Sequence, residues 1–167
     1  KKPLSQTDLD SIKEIIYSVK KNINNDDEII VVDDSSTDET KNILEGVLKD
    51  SINCLIQNER NYGKGYSIRK GIEKAKGDII LIQDADLEYD PSDYSKLLKP
   101  IKEGFADVVY GSRFIGSEEK RVLYFWHMLG NKLLTLLSNM FTNLNLTDME
   151  NCYKVFRANL IKDIKLE

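Results

Sequence analysis

The stretch Gly77-Asp78-Ile79-Ile80-Leu81-Ile82-Gln83-Asp84-Ala85-Asp86-Leu87-Glu88-Tyr89-Asp90-Pro91 decides how the chain is read. Its apolar run, Ile79 to Ile82, is too short for an ordinary helix and rich in β-branched residues, so it predicts a fully buried strand. The strand ends in acids: Asp84, Asp86, Glu88 and Asp90. Carboxylates two apart on an extended segment point to one side, so Asp84 and Asp86 can close on one hard cation. Pro91 stops the segment and Ser92 is placed to cap the next helix. Open α/β sheets hold ligands at the C-terminal ends of their strands, which is where this cluster falls. Alone, an Asp-x-Asp reads as readily as a polar turn, so the flanking segments have to decide.

Upstream, Thr7 to about Lys21 has helical apolar spacing, with Thr7 as N-cap. Glu28 to Val32 predicts a second buried strand, and it too ends in acid, Asp33-Asp34-Ser35-Ser36-Thr37-Asp38. Thr37 or Asp38 can cap a helix running to about Lys49. Ile52 to Gln57 predicts a third strand, followed by Asn58-Glu59-Arg60-Asn61-Tyr62-Gly63-Lys64-Gly65, whose two glycines allow a tight turn and a close approach to a ligand. A helix then runs to about Lys76. Downstream, a helix over Ser92 to Glu103 precedes a short strand, Asp107 to Tyr110. Strands alternating with helices imply βαβ units, a mostly parallel sheet and one α/β domain.

The 167 residues suffice for one real core, and 41% hydrophobic with 31% charged residues is ordinary for a globular protein. A net charge of -4 without a basic stripe argues against nucleic acid as a partner. Cys54 and Cys152, far apart and without metal-type spacing, point to a reduced, cytoplasmic setting. No signal peptide opens the chain, and no apolar run is long enough to span a membrane. From Arg121 to Phe141 the sequence predicts a helix with a very wide apolar face. Such a helix either packs on the sheet as part of the core or turns part of that face to a lipid, a membrane surface or another subunit.

Two strands ending in Asp33-Asp34-Ser35-Ser36-Thr37-Asp38 and Asp84-Ala85-Asp86, with Asn61-Tyr62-Gly63-Lys64-Gly65 between and Tyr110-Gly111-Ser112-Arg113-Phe114 after, resemble the family-two glycosyltransferases. The likeness runs from about Glu28 to Arg157 and is strongest to the dolichyl-phosphate mannosyltransferase and bacterial polyprenyl-phosphate branch. It implies a three-layer, Rossmann-like glycosyltransferase A-type fold, a UDP- or GDP-linked sugar donor and a divalent Mg2+ or Mn2+ ion. By the same resemblance Asp34 contacts the nucleobase with Asp33 beside it, and Lys64 lies near the diphosphate. Asp84 and Asp86 form the metal and diphosphate motif, and Glu88 is a further metal ligand. Arg113 faces the acceptor phosphate, with His127 and Asn131 near further acceptor positions. Thr147-Asp148-Met149-Glu150 matches a late acidic segment that approaches sugar and acceptor. The family opens with a strand that this sequence lacks and usually continues beyond Glu167, so the chain reads as a truncated catalytic domain.

The chemistry suits these residue types. Carboxylate-held Mg2+ or Mn2+ neutralises charge growing on a diphosphate leaving group. A polyprenyl phosphate acceptor is already an anion and needs only cations, for which Arg113, Arg121 and His127 are candidates. A sugar hydroxyl needs a base instead, with Asp148 the first choice and Glu150 the second. The expected function is therefore inverting transfer of a sugar from a nucleotide donor to a lipid phosphate at the inner face of a membrane. The alternatives are transfer to a glycan hydroxyl, a non-catalytic nucleotide-binding relative, or a nucleotidyltransferase-like enzyme. Asp33 reads equally as a helix cap, Lys64 as a solvated surface lysine, His127 as a packed histidine and Arg113 as half of an internal ion pair.

Overall fold

The computed structural model describes residues 6–112 and 124–164. Helix α1 (Gln6–Asn22) comes first, so Thr7 lies inside the helix and is not its cap. Its residues Ile12, Ile15 and Ile16 recur at helical spacing and pack with Ile29, Leu44 and Leu48 into one core. Leu48 is fully buried, which contributes about 1.5–3 kcal/mol relative to exposure.

Strand β1 (Ile30–Asp33) pairs in parallel with β2 (Cys54–Gln57), in register from Ile30 opposite Cys54 to Asp33 opposite Gln57. The connection between them carries α2 (Thr40–Glu45) and a 3-10 turn at Lys49–Ser51, so the expected helix to Lys49 ends early, at Gly46. The N-cap of α2 is Glu39 and not Thr37 or Asp38 as expected; Asp38 accepts from the Thr40 N–H at 2.9 Å from one residue further out.

Helix α3 (Lys64–Lys74) leads to β3 (Ile79–Ile82). The Glu28 carboxylate accepts from the N–H groups of Lys76 and Gly77 and so ties the entrance of β3 to the foot of β1. After β3 the cap of the next turn is Asp90, whose Oδ1 accepts from the Ser92 N–H at 2.9 Å; Ser92 receives the cap and does not supply it. Helix α4 (Tyr94–Lys102) and strand β4 (Val108–Tyr110) follow as expected.

Strand β5 (Lys154–Arg157) and helix α6 (Ala158–Asp163) were not foreseen from the sequence. β5 lies between β3 and β4 and is antiparallel to both, so the pairing expected to be mostly parallel is parallel at β1–β2 and antiparallel in the ladder β3–β5–β4. β3 is also half-buried rather than fully buried, because it stands at the edge of that ladder. A second core of Ile72, Phe156 and Ile161 backs the ladder, with Ile80, Ile82 and Val108 against it.

Helix α5 (Phe125–Thr142) begins within the stretch expected to be helical. Thr135 is its one buried residue, while Trp126 is 76% and Phe141 86% exposed. Among the described residues it therefore does not serve as a core helix packed on the sheet. No helix among the described residues is long and apolar enough to cross a membrane.

Candidate active site

The C-terminal ends of β1 and β3 open onto one cleft of about 550 Å3. Asp33, Asp34, Lys64, Asp84 and Asp86 all line it, five of the site residues expected from the sequence. Its back wall is apolar, supplied by Ile12 and Ile16 of α1 with Val31 and Leu44. Thr40, 6% exposed, contributes a buried Oγ1 that has no hydrogen-bond partner among the described residues. Such an orphaned hydroxyl in a cleft wall is what a polar ligand would satisfy.

The acids at the end of β1 do two different things. Asp33 is buried, and its Oδ1 accepts from both the N–H and the hydroxyl of Ser36. That turn drives Ser35 to a φ of 61, a left-handed conformation rare for a residue with a side chain. Asp34 reaches across to the glycine loop: Oδ1 accepts from the Asn58 amide at 2.8 Å and the Tyr62 N–H at 2.9 Å, and Oδ2 from the Gly63 N–H at 2.8 Å. Burial pushes this carboxyl up, but the Tyr62 N–H, Asn58, the Gly63 N–H and Ser67 together hold it below the ordinary carboxylate value. Gly63 is required here by its φ of 90 at the start of α3. Asp34 thus clamps the loop that carries Lys64.

Lys64 in turn places its Nζ 2.6 Å from Asp84 Oδ2. Burial lowers its ammonium, and the Asp84 carboxylate with Cys152 and Tyr89 more than offsets that, holding it above the usual lysine value. Asp84 is positioned through the neighbouring Gln83, whose amide donates to the Asp84 carbonyl at 2.8 Å and accepts from the Tyr94 hydroxyl at 3.0 Å. The chain bends beyond Gln83, so Asp84 and Asp86 share the cleft without sharing a strand face. Asp86 Oδ1 accepts from the Glu88 N–H at 3.1 Å. Burial, with the charges of Glu88 and Asp84, raises the Asp86 carboxyl above its ordinary value.

Among the described residues no three acidic, histidine or cysteine side chains already converge as a metal cage. The donor chemistry nonetheless fits a hard divalent cation: Asp84 and Asp86 turn carboxylates into one cleft, and their mutual repulsion is what such an ion relieves. Glu88 is exposed and does not line the cleft.

The remaining candidates are placed apart. Asp148 is 1% exposed, buried in the segment between α5 and β5, while Glu150 is exposed. His127 is exposed and Asn131 half-buried on α5. Arg113 and Arg121 lie outside the described residues.

Sequence reasoning missed Cys152, Tyr89 and Lys154. Cys152 Sγ lies 4.0 Å from Lys64 Nζ, and its N–H donates to the Tyr89 hydroxyl at 3.1 Å. Burial, with Asp84 beside it, pushes the Cys152 thiol up to about 12, so it stays protonated. The only available signal was the step from the acidic Asp148-Met149-Glu150 to the short apolar pair Val155-Phe156.

Residues 7–165 match the family model described as Glycosyl transferase family 2. The undecaprenyl-phosphate 4-deoxy-4-formamido-L-arabinose transferase of Pseudomonas fluorescens is 30% identical over 158 residues, covering 91% of this chain and 44% of that protein. The dodecaprenyl-phosphate galacturonate synthase of Rhizobium johnstonii is 28% identical over 141 residues, covering 83% of this chain and 40% of that protein. Among solved structures, glucosyl-3-phosphoglycerate synthase of Mycobacterium tuberculosis, in complex with Mn2+, uridine diphosphate and glucosyl-3-phosphoglycerate, superposes with a TM-score of 0.68 at 18% identity. That superposition covers 93% of this chain and 55% of the other, and it speaks for the fold, which is of the glycosyltransferase A type. The chain spans less than two thirds of the length of each of these proteins. On the match to the family model, this chain belongs to glycosyl transferase family 2.

Proposed function

We propose that this protein is an inverting, metal-dependent glycosyltransferase that moves a sugar from a nucleotide-sugar donor to a polyprenyl phosphate. The observation that carries this reading is the single cleft in which Asp33, Asp34, Lys64, Asp84 and Asp86 meet. The acceptor class is supported by the relatives, named for undecaprenyl and dodecaprenyl phosphate. The lipid nature of that acceptor also favours work at the cytoplasmic face of a membrane.

In this reading the donor's nucleoside lies toward Asp33, Asp34 and Thr40, and its diphosphate toward Lys64. Asp84 and Asp86 would hold Mg2+ or Mn2+, with Glu88 a further candidate. When bound, that ion neutralises charge on the departing diphosphate. Lys64 adds a fixed positive charge at the same phosphates, and Asp34 keeps it there by holding the loop. An anionic acceptor attacks without a base, which agrees with Asp148 being buried rather than open to the cleft. Arg113, Arg121, His127 and Asn131 remain the candidates for orienting the acceptor phosphate, and the exposed apolar face of α5 for lying near its isoprenoid chain.

The test is transfer of labelled sugar from a panel of UDP- and GDP-sugars to undecaprenyl phosphate in detergent micelles, using the full-length protein. Lipid-linked label that is lost in Asp84→Ala supports the reading. Donor consumption with label appearing only on free glycans contradicts it.

A further inference from the structure

Lys154 is the first residue of β5 and stands opposite Ile82 of β3 on one side and Tyr110 of β4 on the other. It therefore sits where both neighbouring strands end, two residues short of Asp84 along β3. Cys152, two residues before it, lies 4.0 Å from the Lys64 ammonium, and the charges of Lys64 and Asp84 both act on the Lys154 ammonium. Lys64 is matched by the Asp84 carboxylate. Lys154 is not: its ammonium donates to the Asn151 carbonyl at 2.6 Å and faces the Tyr110 ring at 5.3 Å, with no carboxylate at ion-pair distance among the described residues. An ammonium has three N–H donors, and this one uses a single donor on the protein. Asp84 and Glu150 act on it only from beyond ion-pair distance, and half-buried positive charge without a contacting counter-ion is costly to maintain. Burial lowers the Lys154 ammonium, as expected of a cation in such surroundings, and an arriving anion would reverse that.

We propose that Lys154, at the strand ends beside the cleft, is a second phosphate-binding cation, donating with Lys64 to the oxygens of one phosphate group. The inference rests on the transferase reading above and adds a residue to it. β5 supplies the rigid mount, since Arg157 at its other end donates to Asp107 at 2.7 Å and to the Ile101 carbonyl at 2.9 Å. The phosphate belongs either to the donor diphosphate or to the lipid acceptor, and both present the same singly bonded, anionic oxygens.

The experiment measures binding of UDP, GDP, uridine, guanosine and micellar polyprenyl phosphate, with Mn2+ present, to the full-length protein and to its Lys154→Gln and Lys154→Arg variants. Lys154→Gln is expected to weaken one phosphate ligand by about ten- to a hundredfold, the loss typical of a hydrogen bond to a charged group. Nucleoside binding should stay unchanged and Lys154→Arg should restore most of the loss. A loss confined to UDP or GDP assigns the donor phosphate, and a loss confined to polyprenyl phosphate assigns the acceptor; either supports the inference. Parent-like affinity of Lys154→Gln for every phosphate ligand overturns it. So does an equal loss for the bare nucleosides, the mark of a mere prop for the Asn151 turn. A parent protein that binds no nucleotide and no polyprenyl phosphate overturns the transferase reading and this inference with it.

Discussion

The Lys64 ammonium and the Asp84 carboxylate, brought from the start of α3 and the end of β3, meet at 2.6 Å across the mouth of the cleft. The lysine side chain is 59% exposed, and such pairs are worth only about 0–1 kcal/mol to folding. Lys64→Met should therefore leave the thermal midpoint nearly unchanged while weakening nucleoside-diphosphate binding about tenfold. Thermal denaturation beside equilibrium titration checks both halves. Equal affinity in the variant would reduce the pair to surface decoration.

Asp34 predicts a pH signature. Its carboxyl is held below the ordinary value in the fold by the donors that Tyr62, Asn58, Gly63 and Ser67 aim at it. A group depressed in the folded state stabilises the fold fully above its unfolded value and loses that contribution as pH falls through the folded one. Asp34→Asn, which places an NH2 against N–H donors, should be less stable than the parent at pH 7. The gap should close as the solution is acidified below about pH 4, where the parent carboxyl takes up its proton. Denaturant titrations of both proteins across that range give the answer, and a gap independent of pH contradicts the clamp.

Gly111 predicts a steric effect at the seam between β4 and the segment leading to β5. A Cβ there would stand 2.9 Å from Tyr153 Cβ and 3.0 Å from Asn151 Oδ1, while the Gly111 N–H donates to the Tyr153 carbonyl at 2.8 Å. Gly111→Ala should cost about 1–3 kcal/mol, the usual range for overpacking. Chemical denaturation reads this directly, and an unchanged midpoint would show that the segment yields freely.

The acceptor class divides on Asp148. With a polyprenyl phosphate acceptor, Asp148→Asn should leave turnover within about tenfold of the parent, whereas removing a true general base costs about 10²–10⁴-fold. Steady-state kinetics with lipid phosphate and with a glycan acceptor separate the two, and a large loss with the lipid acceptor contradicts the proposed chemistry.

Much of this site was legible in the chain because acids placed directly after short apolar runs are a local signal. Asp33, Asp34, Asp84 and Asp86 stood out that way, whereas Lys64 was named through the family resemblance. What Asp34 does was not legible: its partners Asn58, Tyr62 and Gly63 are distant in sequence, and only the fold shows its carboxylate filled by protein donors. β5 was missed because Lys154-Val155-Phe156-Arg157 offers two apolar residues between cations, too little pattern for a strand. Its burial comes from insertion between β3 and β4, a long-range fact that also hid Lys154. The exposure of α5 was left open by its sequence, since a wide apolar face looks alike whether it meets a core or something else.

The most direct measurement is isothermal titration of the full-length protein with UDP and with GDP, each with and without Mn2+, repeated on Asp86→Ala. Asp86 lines the cleft beside Asp84, and its raised carboxyl reflects burial and the repulsion that a divalent ion would relieve. The expected result is binding of one nucleotide that strengthens with Mn2+ in the parent and loses that dependence in Asp86→Ala. Absence of binding to either nucleotide, or a metal dependence that survives in Asp86→Ala, would contradict a donor site built on these carboxylates.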